Sequence, residues 1–157
     1  MSPSPLGGTK TGKNPTDRAK LGSKVHLLVD ERGTPLAIYI TGANEHDKWS
    51  ADDLIVHIVA KRPHSEQHFC ADKGYDYEDV QVFVGLQNYI AHIKHRRRKN
   101  EPQDECPIPA RRWVVERTLS WLAKRRSIAT RWCKKAENWL AFVHMACAQI
   151  LLNIIFG

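Results

Sequence analysis

The order of strand and helix patterns constrains the fold of this chain more than any other feature of its sequence. Residues 24–30 and 36–41 are strand-like runs on either side of a Gly-Thr-Pro turn, which predicts a β-hairpin. Two further strands are predicted at residues 67–71 and 88–93, with a helical pattern between them. Because strand–helix–strand units bring strands together in parallel, the sequence indicates an α/β fold.

Helices account for most of the remaining pattern. They are expected over residues 52–59, about 76–87, about 110–126, and from about 136 to the end. Residues 1–20 are rich in Gly, Pro, Thr and Lys, so we expect a flexible, linker-like segment. Residues 21–157 are long enough to form one domain with a sizeable core.

Positive charge is concentrated in one part of the chain. Residues 94–135, which begin with a predicted loop at 94–109, hold fourteen Lys or Arg against four Asp or Glu. The rest of the chain carries a net charge of −3. A basic region of this kind indicates a polyanionic partner, most commonly nucleic acid. The alternative is a solvated cationic surface that serves only solubility.

Cysteine spacing and apolar segments bear on where the chain works. The four cysteines are far apart, which is typical of thiols in a reducing compartment, and no signal peptide is visible. We therefore expect a cytoplasmic protein. Residues 139–156 approach the length of a membrane span, but polar side chains interrupt them. We therefore expect a core helix there, buried in the domain or against a partner subunit. We expect no contact with a membrane.

Two acidic residues in basic surroundings are the candidate site. Asp72 follows a predicted buried strand, at the carboxyl end where α/β sheets present ligand groups. Glu116 lies at the edge of the apolar stripe of a predicted helix, beside a cationic and aromatic face. Two simpler interpretations stay open. Asp72 could cap a helix, although Asp76 suits that role better, and Glu116 could form a surface ion pair with Arg112.

The two carboxylates suit a hard divalent cation. Mg²⁺ takes oxygen ligands and completes its shell with water and substrate phosphate, and two such ions can clamp the oxygens of an in-line displacement at phosphorus. A zinc site at His92, His95 and Cys106 lacks an obvious fourth ligand and is not favoured. The tryptophans of this region could stack on flipped bases, but packing in a core or interface is their commoner use; they are Trp113, Trp121, Trp132 and Trp139.

Several short motifs occur in a fixed order along the chain. They are the run from Gly22 to Asp30 with Gly33-Thr34-Pro35-Leu36, Asn44-x-x-Asp47, Ala71-Asp72-Lys73-Gly74-Tyr75-Asp76, Arg112-x-x-x-Glu116-Arg117-Thr118-x-x-Trp121-Leu122, and the basic run from Lys124 through Arg131. Together they resemble bacterial insertion-sequence transposases of the DDE class. The resemblance covers residues 7–156.

This resemblance implies a ribonuclease-H-like fold and the C-terminal part of a transposase catalytic domain. It implies Mg²⁺- or Mn²⁺-dependent DNA cleavage and strand transfer at insertion-sequence ends. Asp72 and Glu116 then become the catalytic residues and the metal ligands. The residues implied to bind DNA are Arg112, Arg117, Lys124, Arg125 and Arg126. Some relatives place a Lys seven residues after the Glu, where this chain has Ala123 followed by Lys124.

One expected element has no counterpart in the sequence. The first catalytic Asp of the family lies on the first, central strand, and none of Asp17, Asp30 and Asp47 matches its motif. We therefore expect a ribonuclease-H-like domain that lacks its first central strand. Such a chain would be inactive without an upstream transposase fragment, and it could also form a homo-oligomer. The alternative function is that of a truncated, catalytically dead DNA-binding remnant that competes with the full transposase.

Overall fold

A computed structural model describes residues 1–94 and 112–157 of the chain. Within these ranges the strands are β1 (Ser2–Pro3), β2 (Gly12–Lys13), β3 (Leu21–Val29), β4 (Pro35–Gly42), β5 (His68–Ala71) and β6 (Ile90–Ile93). The helices are α1 (Ala51–Val56), α2 (Glu78–Leu86), α3 (Arg112–Ala123), α4 (Arg126–Ala129) and α5 (Ala136–Phe156), with 3-10 turns at Asp47–Ser50 and Lys73–Tyr75. This mixture of helices and sheets confirms the α/β class.

The predicted β-hairpin forms the centre of the fold. β3 and β4 pair antiparallel along nearly their whole length. Asp30 shapes the turn between them, because its carboxylate accepts hydrogen bonds from the backbone N–H groups of Arg32 (2.9 Å) and Thr34 (2.8 Å). The prediction of a hairpin is therefore confirmed, and Asp30 has a structural role in its turn.

Helices cover both faces of this hairpin. On one face, Leu27 and Ile40 pack with Leu122 of α3 and Trp139 of α5. On the other face, Leu28 packs with the apolar cluster that includes α1. Successive residues of β3 belong to different clusters because neighbours along a strand point to opposite faces of a sheet. The hairpin is thus the middle layer of three.

A second sheet carries the predicted strand–helix–strand unit. β5 and β6 pair in parallel, and α2 connects them. Phe69, Val80, Val84 and Ile93 bury their side chains between this sheet and α2. Across the described ranges, no strand joins this sheet to the β3–β4 hairpin. The strand–helix–strand unit leads directly to Asp72, the residue after β5.

Residues 1–20 are attached to the domain, whereas the sequence predicted a flexible linker. β1 and β2 each pair with the start of β3, and Ser4 is fully buried. The guanidinium of Arg131 binds the carbonyl oxygens of Thr9 (2.7 Å) and Lys10 (3.2 Å). Local composition predicts a loop, but it does not reveal hydrogen-bond donors more than a hundred residues away in the chain. This distant contact explains the difference.

The last helix was predicted to be buried, and it is buried on one face only. α5 begins at Ala136 as expected, and its inner side chains Trp139 and Val143 are fully buried. Its outer face leaves large apolar side chains exposed, among them Met145 and Phe156. The helix is long and apolar enough to cross a membrane, a test that core helices of soluble proteins also pass. Residues 95–109 of the predicted loop, with His95 and Cys106, lie outside the described residues.

Candidate active site

Asp72 stands at the carboxyl end of β5, where the sequence predicted it. It is the N-cap of the turn Lys73–Tyr75, and its carboxylate accepts a 2.8 Å hydrogen bond from the next backbone N–H. Asp76 does not cap α2, whose N-cap is Tyr77; it accepts a hydrogen bond from the Gln81 side chain instead. The capping interpretation of Asp72 is therefore correct for this short turn. The Asp72 side chain nevertheless remains 45% exposed.

A buried hydrogen-bond network holds the turn after Asp72 in place. The hydroxyl of Tyr75 lies 3.5 Å from Ser50 Oγ, which lies 2.9 Å from His26 Nδ1. The other ring nitrogen of His26 lies 2.8 Å from Thr41 Oγ1. Burial raises the pKa of Tyr75 and lowers the pKa of His26 to about 4, so both side chains are neutral near pH 7. This neutral network ties the end of β5 to the hairpin.

Helix α3 docks on the hairpin turn, and this contact places Glu116. The buried stripe of α3 consists of Val114, Thr118 and Leu122. Thr118 Oγ1 donates a 2.9 Å hydrogen bond to the carbonyl oxygen of Gly33. Gly33 has a φ of +88°, and a Cβ there would lie only 2.9 Å from Thr118 Oγ1, so the close approach requires glycine. Glu116 lies on the opposite, exposed side of the helix.

Arg112 brings the two candidate carboxylates together. Its Nη1 lies 3.5 Å from Asp72 Oδ1, and its Nη2 lies 3.4 Å from Glu116 Oε1. The Glu116 contact is the ion pair that the sequence offered as the simpler interpretation, whereas the Asp72 contact joins α3 to the end of β5. All three side chains are about half exposed, so each ion pair contributes only about 0–1 kcal/mol. These contacts contribute little energy, but they show that the carboxylates of Asp72 and Glu116 both face the guanidinium of Arg112.

Arg117 is held between aromatic rings along α3. Its guanidinium carbon lies 5.0 Å from the ring centres of both Trp113 and Trp121. Its Nη2 also donates a hydrogen bond to the carbonyl oxygen of Arg32 in the hairpin turn. These contacts fix the guanidinium against the protein, so any contact of Arg117 with DNA would be made from a rigid position.

The other predicted DNA contacts lie beyond the end of α3. Lys124 and Arg126 are exposed, and Arg125 is half-buried at the N-cap of α4. Arg131 belonged to the same basic run in the sequence, but it is fully buried. Its guanidinium is hydrogen-bonded within the protein, so its role in this structure is packing.

The acidic residues considered for the first catalytic position each make a structural contact elsewhere in the fold. Asp17 forms an ion pair within the N-terminal loop, and Asp30 shapes the hairpin turn. Asp47, expected to be a helix cap, instead pairs with Lys24 at 2.8 Å. Among residues 1–94 and 112–157, no group of three or more His, Cys, Asp or Glu side chains could hold a metal ion. The candidate site in this part of the chain therefore consists of two carboxylates and Arg112.

Comparison with known proteins decides the family. The sequence matches the transposase DDE domain family over residues 2–151. The chain belongs to this family. The resemblance carried by the separate motifs is thereby confirmed, and this DDE transposase domain is a protein of DNA transposition.

Two relatives of the DDE domain are named after insertion sequences. A putative transposase for insertion sequence element IS402 from Burkholderia cepacia is 37% identical, over 95% of this chain and 72% of its own length. A putative transposase for insertion sequence element IS6501 from Brucella ovis is 30% identical, over 83% of this chain and 98% of its own length. No solved structure matches the chain.

Proposed function

We propose that this DDE transposase domain cleaves DNA at the ends of an insertion sequence and transfers the cut strand to target DNA. The reaction depends on Mg²⁺ or Mn²⁺ and takes place in the cytoplasm, without membrane contact. Asp72 and Glu116 are the proposed catalytic residues and metal ligands. The proposed DNA contacts are Arg112, Arg117, Lys124, Arg125 and Arg126.

The convergence of Asp72 and Glu116 on one cation is the observation that carries this proposal. The two carboxylates come from the end of β5 and from α3, and both lie within 3.5 Å of the Arg112 guanidinium. Two negative charges held this way also favour a divalent cation, and carboxylate oxygens are ligands that Mg²⁺ prefers. The donor set therefore fits Mg²⁺ or Mn²⁺ as two of its ligands, with water and phosphate oxygens as the others.

The chain's own residues bind and orient the DNA in this proposal. A divalent cation supplies Lewis-acid activation of the phosphodiester and of the attacking water or 3′ hydroxyl. Arg112 is suited to exchange its carboxylate partners for phosphate oxygens, which accept the two N–H groups of a guanidinium in the same way. Lys124 and Arg126, exposed just beyond α3, attract the phosphates of the flanking DNA.

We also propose that the fold is ribonuclease-H-like, that an upstream transposase fragment supplies its first central strand, and that without this fragment two copies of the chain pair at their open strand edges. Two open strand edges support this. β1 covers only the start of one edge of β3, and no described strand pairs with residues 24–29 on that side. Among the described residues, β5 likewise pairs with β6 alone. A strand added parallel to β5 would end beside Asp72, where a first catalytic Asp would complete the site.

A cleavage assay tests the proposed function. The chain combined with the upstream transposase segment is expected to nick DNA that carries the insertion-sequence end, provided that Mg²⁺ is present. Asp72→Asn and Glu116→Gln are each expected to abolish nicking and to leave DNA binding intact. Asp52→Asn, an exposed carboxylate of α1, is the matched control and should cut like the wild type. Wild-type cutting by either site variant would refute the proposal.

Competition with a full transposase is a second candidate function. The presence of only two converging carboxylates among the described residues favours it, since the basic residues would still bind DNA without catalysis. In that case no added segment restores cleavage. The chain should then inhibit a full transposase in proportion to its concentration, equally well with Asp72→Asn.

A further inference from the structure

Two segments without acidic residues lie side by side in the fold. Residues 1–16 hold two Lys, residues 117–136 hold seven Lys or Arg, and neither segment contains Asp or Glu. The N–H of Thr9 donates a 3.0 Å hydrogen bond to the carbonyl oxygen of Lys134. Thr9 Oγ1 accepts a 2.9 Å hydrogen bond from the N–H of Ala136. The fold therefore joins two basic segments that are more than a hundred residues apart in the chain.

Three exposed lysines of these segments stand apart from the carboxylates that the structure describes. They are Lys13 of β2 and, just before α5, Lys134 and Lys135, and we call them the distal basic surface. Of the described carboxylates, none pairs with these three side chains. Three other lysines do form ion pairs, at 2.7–3.4 Å: Lys20 with Asp17, Lys24 with Asp47 and Lys48 with Asp79. The ammonium groups of the distal basic surface are therefore available to an anionic partner.

The distal basic surface and the helix that carries Glu116 contact opposite ends of the central hairpin. Helix α3 docks on the hairpin turn, where Thr118 contacts Gly33. Lys13 pairs with Leu21, the first residue of β3. At about 3.3 Å per residue, β3 extends about 26 Å from Leu21 to Val29. A duplex that contacts both places must run along most of β3, which corresponds to roughly six to eight base pairs at about 3.4 Å each.

We propose that the distal basic surface is a second DNA contact, which binds phosphates of the duplex roughly six to eight base pairs from the phosphate at Asp72 and Glu116. This inference rests on the proposed function, because the candidate site holds the other end of the same duplex. Lysines neutralise phosphates without reading bases, so the second contact accepts any sequence. Lys124 and Arg126 follow the end of α3, which lines one cavity together with Ser2, and they continue the positive charge between the two places.

The rigidity of this arrangement favours DNA over an acidic protein or a surface that serves only solubility. The buried guanidinium of Arg131 donates hydrogen bonds to the carbonyl oxygens of Thr9 (2.7 Å) and Lys134 (2.9 Å), so the two basic segments keep a fixed spacing. DNA is stiff, with a persistence length of about 150 base pairs, and its charges are evenly spaced. A rigid surface and a rigid polyanion lose little conformational freedom when they bind each other.

Acetylation of lysines, followed by mass spectrometry, locates the second contact on the wild-type chain. The probe is a mixed-sequence duplex of twenty base pairs. The duplex is expected to slow acetylation of Lys13, Lys134 and Lys135 by about threefold or more. Lys61, an exposed lysine after α1, is the internal control and should react equally fast with and without DNA. Equal protection of Lys61 would show a general attraction of DNA to a basic chain and would overturn the second contact.

The dependence of affinity on duplex length tests whether one duplex reaches both places. DNA hairpins with stems of five and twelve base pairs are bound to the wild type, to a double variant that carries Lys134→Gln and Lys135→Gln, and to the control Lys61→Gln. The wild type and the control are expected to bind the long stem at least about tenfold more tightly than the short stem, because the second contact is then intramolecular. The double variant should gain only about twofold. Thermal unfolding of each variant monitors folding.

Salt dependence gives an independent measure of the lost contacts. The slope of log affinity against log salt concentration for the long stem should be shallower by roughly 2 in the double variant, since two phosphate contacts are removed. Equal gains with stem length and equal slopes in the wild type and the double variant would overturn the second contact. The proposed function would then stand, because neither lysine belongs to the candidate site. Failure of the wild type to bind either hairpin would overturn both.

Discussion

Replacement of Arg131 by Ala is expected to destabilise the chain by at least about 3 kcal/mol, because it removes five hydrogen bonds that join separate parts of the molecule. The side chain is fully buried. It donates hydrogen bonds to the carbonyl oxygens of Thr9, Lys10, Cys133 and Lys134 and to Ser23 Oγ, at distances of 2.7–3.2 Å. In the described part of the chain no carboxylate pairs with it, so neutral acceptors alone compensate the buried charge.

The buried Arg131 also joins three parts of the molecule. Its acceptors lie in the N-terminal segment, in β3 and in the loop before α5, and its guanidinium lies 5.6 Å from the ring centre of Trp139. Arg131→Lys keeps the charge but loses the planar fork of five donors, so it should also be destabilising, by about 2 kcal/mol. The N-terminal segment should become more accessible to trypsin at Lys10 and Lys13 in both variants.

Urea unfolding followed by circular dichroism measures the effect. The matched control is Arg126→Ala, which removes an exposed arginine of α4 and should change the free energy of unfolding by less than about 0.5 kcal/mol. Equal stabilities of Arg131→Ala and Arg126→Ala would show that the buried hydrogen bonds of Arg131 contribute nothing measurable.

Acidification is expected to remove roughly 3 kcal/mol of stability through His26 alone. Burial outweighs the attraction of Asp47 and lowers the pKa of His26 to about 4, against about 6.5 in an unfolded chain. Between these values the unfolded chain binds a proton that the folded chain does not bind. The contribution is therefore fully present above pH 6.5 and is lost as the pH falls from 6.5 towards 4.

The free energy of unfolding, measured in urea at several pH values from 7 to 4.5, tests this dependence. Carboxylates also titrate near the lower limit, so the informative quantity is the difference between the wild type and His26→Gln. That difference should shrink as the pH falls. His64→Gln removes an exposed histidine and should leave the wild-type profile unchanged. A constant difference between wild type and His26→Gln across the range would contradict the assignment.

Regular, local patterns made much of the fold predictable from the sequence. The hairpin and the start of α5 follow from runs of apolar residues and from a turn that needs Gly33. The short helix α4 was not predicted, because four residues carry too little periodicity to be recognised. On α3 the apolar stripe predicted to face the core was Val115, Leu119 and Leu122. Leu122 is buried as predicted, whereas Val115 and Leu119 are only half-buried and Val114 and Thr118 are buried as well.

Long-range contacts set the limit on predicting the site. The sequence predicted Asp72 and Glu116 as site residues. It also indicated the ion pair of Arg112 with Glu116, because these two residues are four apart on one helix. It carried no signal for the contact of Arg112 with Asp72, which depends on how α3 docks against the end of β5. Arg131 and Arg117 look like DNA contacts in a basic run, yet one is buried and the other is stacked between tryptophans. Charge alone does not separate these roles.

Manganese binding to the chain, followed by electron paramagnetic resonance of free Mn²⁺, tests the central claim most directly. If Asp72 and Glu116 together hold a divalent cation, then Asp72→Asn and Glu116→Gln should each weaken Mn²⁺ binding by about tenfold or more, since each removes one of two charged ligands. Asp52→Asn should bind Mn²⁺ like the wild type. Equal Mn²⁺ affinity in the wild type, Asp72→Asn and Glu116→Gln would show that these carboxylates do not form a metal site.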